Sequence, residues 1–85
     1  MKHKKISKKD KKILLEKFIK KRIGLVKFKR IDLNKNLIED GAIDSLDFAD
    51  IYSFIEKDLK TKINFFKIFG KNANITLKNI YKCIQ

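Results

Sequence analysis

An all-helical fold in one small domain is what this sequence predicts, and three observations carry the prediction. The 85 residues hold no proline and only three glycines, which argues against a turn-rich β-fold. Apolar residues make up 44%, enough for one modest core but not for a deep substrate cavity as well. Apolar positions recur at helical spacing in three separate stretches. The expected pattern is three main helices, a long loop after the first, and a short element before the last, with residues 1–85 forming a single domain.

The first helix is read from "SKKDKKILLEKFIKKRI". Ser7 and Asp10 make a capping-box-like start, with aspartate in place of the usual glutamate or glutamine. Ile13, Leu14, Leu15, Phe18 and Ile19 give it a broad apolar side, and Gly24 is a natural stop. Residues 25–43 show no sustained helical period and read as a loop pinned by Leu25, Phe28, Ile31, Leu33 and Leu37. A loop of about 20 residues is long for a compact domain, and such loops tend to be functional. The second helix runs from Ser45 to about Leu59 with Asp44 as N-cap. Phe48, Ile51, Tyr52, Ile55 and Leu59 fall in one stripe at about 100° per residue. Asp47, Asp50, Phe54 and Asp58 lie on another side, and Leu46 points nearly opposite the stripe. "INFFKIF" is short enough to be a strand or a turn of helix. Thr76 then caps a last helix in which Leu77, Ile80, Tyr81 and Ile84 pack inward.

Charge is segregated along the chain. The net charge is +12. Residues 1–30 hold 14 Lys/Arg against Asp10 and Glu16, whereas residues 39–58 hold seven acids against Lys57 alone. An AT-rich coding sequence accounts for the excess of lysine, isoleucine and asparagine. It does not account for the gathering of acids around "DGAIDSLDF". A basic balance raises nucleic acid or an anionic membrane as partners. Against nucleic acid, the central helix is acidic and aromatic and basic residues do not interleave as on a stacking platform.

Catalysis and metal binding find little support. The only histidine, His3, stands in a basic terminus, so Ser45 has no evident base. Asp44, Asp47 and Asp50 lack the glycine and the closing glutamate of a calcium loop. The single cysteine, Cys83, cannot form an intramolecular disulfide and is expected to be a small buried apolar group. No apolar run approaches the ~18 residues of a membrane span, and no signal-peptide core follows the basic start. A cytoplasmic chain with residues 1–6 as a disordered basic tail is expected. What the pattern does support is a modified serine: at the first turn of a helix, unpaired amides and a partial positive charge tolerate an attached phosphate.

At this point "LIEDGAIDSLDFADIYSFIEKDLKTKI" resembles the core of the acyl carrier and peptidyl carrier proteins. Those proteins carry a D-S-L triplet at the start of their second helix. Leu37 fits the apolar position before the motif, Asp50 the acidic position after it, and Glu56 with Leu59 and Ile63 the end of the segment. "ITLKNIYKCI" resembles the family's last segment, and the resemblance covers about residues 8–84. It implies a right-handed bundle of three main helices plus a short third helix. It also implies that Ser45 bears a 4′-phosphopantetheine arm drawn from coenzyme A, with Asp44 as its motif neighbour. Acyl or aminoacyl groups would ride on that arm as thioesters. Leu46, Asp47 and Asp50 become partner-recognition residues facing basic patches. The implied partners are a phosphopantetheinyl transferase, an acyl- or aminoacyl-loading ligase or adenylating enzyme, and downstream transferases; the carrier itself is a monomer and not an enzyme. The glycine stands one place earlier than in the L-G-A-D-S-L of fatty-acid carriers, Lys57 replaces an acid, and Ser53 replaces an apolar residue. G-A-I-D-S-L is closer to D-alanyl carriers and to stand-alone carriers of specialised pathways than to bulk fatty-acid synthesis. The alternatives are a small basic nucleic-acid-binding domain and a structural interaction domain without a prosthetic group. A weak contact between the basic end and an anionic membrane surface is a further expectation.

Overall fold

Ser7 opens the longest helix, α1 (Lys8–Ile23), by accepting a hydrogen bond from the Asp10 amide at 3.1 Å. The computed structural model describes residues 6–85, and among these the regular structure is entirely helical. His3 and the expected tail, apart from Ile6, lie outside the described residues. Only the forward half of the expected capping box forms at Ser7. Gly24 ends α1 at φ +91°, a conformation open to glycine, and its N–H donates to Lys20 O at 2.8 Å. Leu15 and Ile19 are fully buried and Phe18 half-buried, but Ile13 and Leu14 face solvent. The domain covers α1 on one side only, so the buried stripe is narrower than the apolar content suggested.

A second departure follows at once. Residues 25–29, expected as loop, form a short helix, α2 (Leu25–Lys29). Gly24 redirects the chain and its carbonyl accepts from Phe28 N at 3.0 Å, which starts the new turn. Leu25 and Leu33, expected to pin the loop, are exposed. Phe28 and Ile31 are partly buried against the core, and the fully buried pin is Leu37; its N–H donates to Ile75 O at 2.8 Å and its carbonyl accepts from the amides of Ala42 and Ile43. Leu33 contributes through its backbone instead, accepting from Lys78 N at 3.2 Å.

α3 (Ser45–Ser53) continues into a π-helical turn, Phe54–Asp58, rather than running as uniform α-helix to Leu59. The Leu59 N–H reaches back five residues to Phe54 O at 3.0 Å. Ile51, Ile55 and Leu59 are all buried, while Phe54 stacks on Phe18 of α1 with centroids 4.3 Å apart. The widened turn thus accommodates a core side and an aromatic contact on a different side. "INFFKIF" resolves as helix α4 (Phe65–Phe69), capped by Asn64 and ended by Gly70. Phe69 packs edge-on against Phe48 of α3 at 5.5 Å. The last helix, α5 (Leu77–Lys82), is capped by the buried Thr76 hydroxyl, which accepts from Asn79 N at 3.0 Å. Leu15, Ile19, Leu37, Ile51, Ile55, Leu59 and Ile80 make the fully buried centre of the core. No helix of the described residues is long and apolar enough to cross a membrane.

Candidate functional site

The chain approaches Ser45 through a tight turn. Gly41 sits at φ +80°, where a side chain would be strained. The turn returns the amides of Ala42 and Ile43 to the Leu37 carbonyl, and it buries Ile43 immediately before the helix. Asp44 caps α3 through a full capping box. Its carboxylate accepts from Asp47 N at 2.8 Å, and the Asp47 carboxylate accepts from Asp44 N at 3.1 Å. Ser45 is the first residue of the helix and is exposed. Ile43 before it and Ile51 after it are buried in the core, and Phe48 packs against that core. Leu46 is 71% exposed, as expected for a side chain opposite the buried stripe.

The capping box takes up the amides of Asp44 and Asp47, and Phe48 N begins the helical ladder on Asp44 O at 3.1 Å. The amides of Ser45 and Leu46 remain at the open end of the helix, beside the serine hydroxyl. That end carries the positive pole of the helix dipole.

The acids of this face do not stand as bare charges. Arg22, from the last turn of α1, donates from Nε to Asp47 Oδ1 at 2.8 Å and from Nη2 to Asp50 Oδ2 at 2.7 Å. One guanidinium therefore bridges two carboxylates three residues apart on α3. The charge segregation read along the chain is therefore incomplete in space. The body of the basic helix lies elsewhere, but its C-terminal end reaches into the acidic face and occupies two of its three aspartates. The Asp47 carboxyl is held below the usual carboxylate range, first by the Asp44 amide and then by Arg22. Arg22 is pushed further up by its bond to Asp47. Such exposed pairs contribute little to stability. Their consequence is for the field around Ser45, where Arg22 offsets negative charge.

Other candidate groups are chemically quiet. Cys83 is buried, its thiol is pushed up to about 12 by that burial, and its Sγ lies 3.6 Å from Asn79 O. Tyr81 is also raised to about 12, mainly by burial, and its hydroxyl donates to Glu16 at 3.4 Å. Among the described residues no group of three or more His, Cys, Asp or Glu side chains is placed to hold a metal ion.

The structure brings Ser45, Asp44, Leu46, Asp47 and Asp50 onto one end of α3, where the spacing put them. It adds Arg22, which sequence reasoning missed. A signal was present: Arg22 and Arg30 are the only arginines among 22 cations, and a planar guanidinium fork is suited to bridging carboxylates as lysine is not. No family model, curated protein or solved structure matches this chain.

Proposed function

We propose that the chain is a carrier protein, with Ser45 as the attachment point of a 4′-phosphopantetheine arm. The observation that carries this reading is an exposed serine at the first position of a capped helix, set between Asp44 and an exposed Leu46. The residues present fit the group. The Ser45 and Leu46 amides could receive the phosphate oxygens, and Arg22, bridging Asp47 and Asp50, reduces the repulsion an added anion would meet. The arm supplies a thiol on which acyl or aminoacyl cargo is held as a thioester. The protein's part is to hold Ser45 outward on a rigid helix start and to offer a recognition face beside it.

In this reading the bundle is acyl-carrier-like: α1, α3 and α5 are the three main helices, α4 is the short third one, and α2 is an addition within the first loop. Leu46 is an apolar anchor for partner enzymes, and Asp44 is the acid most available to their cations. Asp47 and Asp50 become available to a partner in exchange for Arg22. The transferase, the loading enzyme and the downstream transferases would each meet this face in turn. The chain is then a carrier and not an enzyme, and it works in a specialised pathway.

Intact-mass spectrometry after incubation with coenzyme A and a broad-specificity phosphopantetheinyl transferase tests the proposal. The wild-type chain gains one phosphopantetheine unit and Ser45→Ala gains none. No gain in the wild type, or an equal gain in the alanine variant, removes the assignment.

A further inference from the structure

The outward side of α1 carries an arrangement that the Ser45 reading does not use. Two shallow grooves flank this helix and share Lys12, Glu16 and Lys20 as their common ridge. Ile13 and Lys17 complete one groove; Leu25, Leu33 and Lys29 stand in the other. Ile13, Leu25 and Leu33 are each about half exposed, at 52%, 51% and 51%. Of the seven large hydrophobic side chains exposed among the described residues, five lie between residues 13 and 33, four of them inside the basic first 30 residues. Codon bias toward lysine and isoleucine does not account for them, since only Ile13 of the five is isoleucine; nor does it account for Ile13, Leu25 and Leu33 lining grooves beside ammonium groups.

The one acid on the ridge is already matched. Glu16 binds Lys20 at 3.0 Å and accepts from the Tyr81 hydroxyl, which leaves the strip cationic. Its two aromatics, Phe28 and Tyr81, are half-buried and already faced by Lys20 at 5.3 Å and Lys12 at 5.5 Å, so neither offers a free ring; the exposed Phe66 belongs to α4. A nucleic acid would use the cations and leave the aliphatics wet, and it would gain little without a stacking surface. A lipid surface uses both, since lysines meet headgroup phosphates while short aliphatic side chains enter the acyl boundary beneath them.

We infer that this face of α1 and α2 docks on an anionic lipid surface. Ile13 and Arg22 are nine residues apart, about half a turn around the helix axis at about 100° per residue. Ile13 and the Arg22–Asp47–Asp50 cluster therefore lie on opposite sides of α1. A chain resting on a membrane in this way keeps Ser45 and its acidic surroundings turned toward the aqueous phase. The inference stands whether or not Ser45 carries an arm.

Vesicle flotation with the full chain tests it. Vesicles of phosphatidylcholine containing 30% phosphatidylglycerol are compared with phosphatidylcholine alone, with a single-stranded RNA as a second polyanion. The wild type should bind the anionic vesicles at least about tenfold better than the neutral ones, and lose that binding at high salt. The double variant Ile13→Ser, Leu25→Ser should bind anionic vesicles about tenfold less tightly while its RNA affinity is unchanged. Lys12→Gln, Lys17→Gln and Lys29→Gln should each cost about fivefold on the vesicles. Leu25→Met should bind like wild type, as should Leu46→Ser, which alters an equally apolar exposed position on another helix. Equal binding to neutral and anionic vesicles overturns the inference. So does a double variant that floats like wild type, because the contact would then be charge alone and any polyanion would serve.

Discussion

The surroundings of Ser45 and the outward side of α1 are built in opposite ways. Around Ser45 every neighbour is constrained: Gly41 makes the turn, Ile43 and Ile51 anchor the chain to the core, the Asp44–Asp47 box fixes the helix start, and Arg22 ties that start to α1. Along the outward side of α1 little is constrained. Leu15 and Ile19 hold the helix down from its buried side, and the outward side carries lysines, half-exposed aliphatic residues and Glu16. On the proposed reading, the contrast separates a site that must present one atom from a surface that need only be sticky and charged. A hydroxyl awaiting modification gains from a fixed position, because its enzyme must reach one atom in one geometry. A membrane contact gains nothing from a fixed geometry and depends on summed small terms.

The contrast breaks first at the core. Ile55→Ala should destabilise the domain by roughly 2–5 kcal/mol in urea unfolding, because Ile55 is the buried residue of the π-helical turn. Ile13→Ala should change stability by less than about 0.5 kcal/mol, although the residue is equally apolar and also helical. Similar costs for the two would mean that α1 is packed on both sides and that the exposed strip does not exist.

The next largest effect is at the helix start. Asp44→Ala removes the acceptor for Asp47 N and unseats the reciprocal bond, and should cost about 0.5–2 kcal/mol. A smaller effect depends on pH. The Asp47 carboxyl is depressed in the folded chain. Its contribution is therefore fully present above the unfolded value of about 3.9 and is lost as pH falls through the lower folded value. The stability gap between wild type and Asp47→Asn, followed by thermal unfolding, should narrow as pH drops below about 4. A gap that is constant from pH 7 to pH 3 would show that the carboxylate charge does not matter there. The smallest effect is at Leu46→Ala, within about 0.5 kcal/mol, since the side chain is mostly in water.

Much of this was legible in the sequence because it depends on local chemistry. The N-caps Ser7, Asp44 and Thr76, the stops at Gly24 and Gly70, and the buried positions Ile51, Ile55, Leu59 and Ile80 all follow from residue type and spacing. The misses have tertiary causes. Leu25–Lys29 is helical because Gly24 redirects α1, and five residues carry too little period to reveal that. Ile13 and Leu14 are apolar enough for the core, yet Ile13 falls outside the arc of Leu15, Phe18 and Ile19, and both stay exposed. The π-turn at Phe54–Asp58 answers demands from the core and from Phe18 together. Arg22 finds its aspartates across 25 residues of sequence, a separation that no local pattern spans.

The central claim is that the acidic face at the start of α3 receives the enzymes while the outward face of α1 does not. The rate of Ser45 loading by a phosphopantetheinyl transferase, followed by intact mass under conditions where substrate capture limits, tests this directly. Leu46→Ala with Asp50→Asn should load at least about tenfold more slowly than wild type. Lys9→Gln with Lys12→Gln and Lys17→Gln should load at the wild-type rate or slightly faster, because those cations only repel a basic partner. If the lysine variant loses its loading while the Leu46 and Asp50 variant keeps it, the two faces have been assigned the wrong way round.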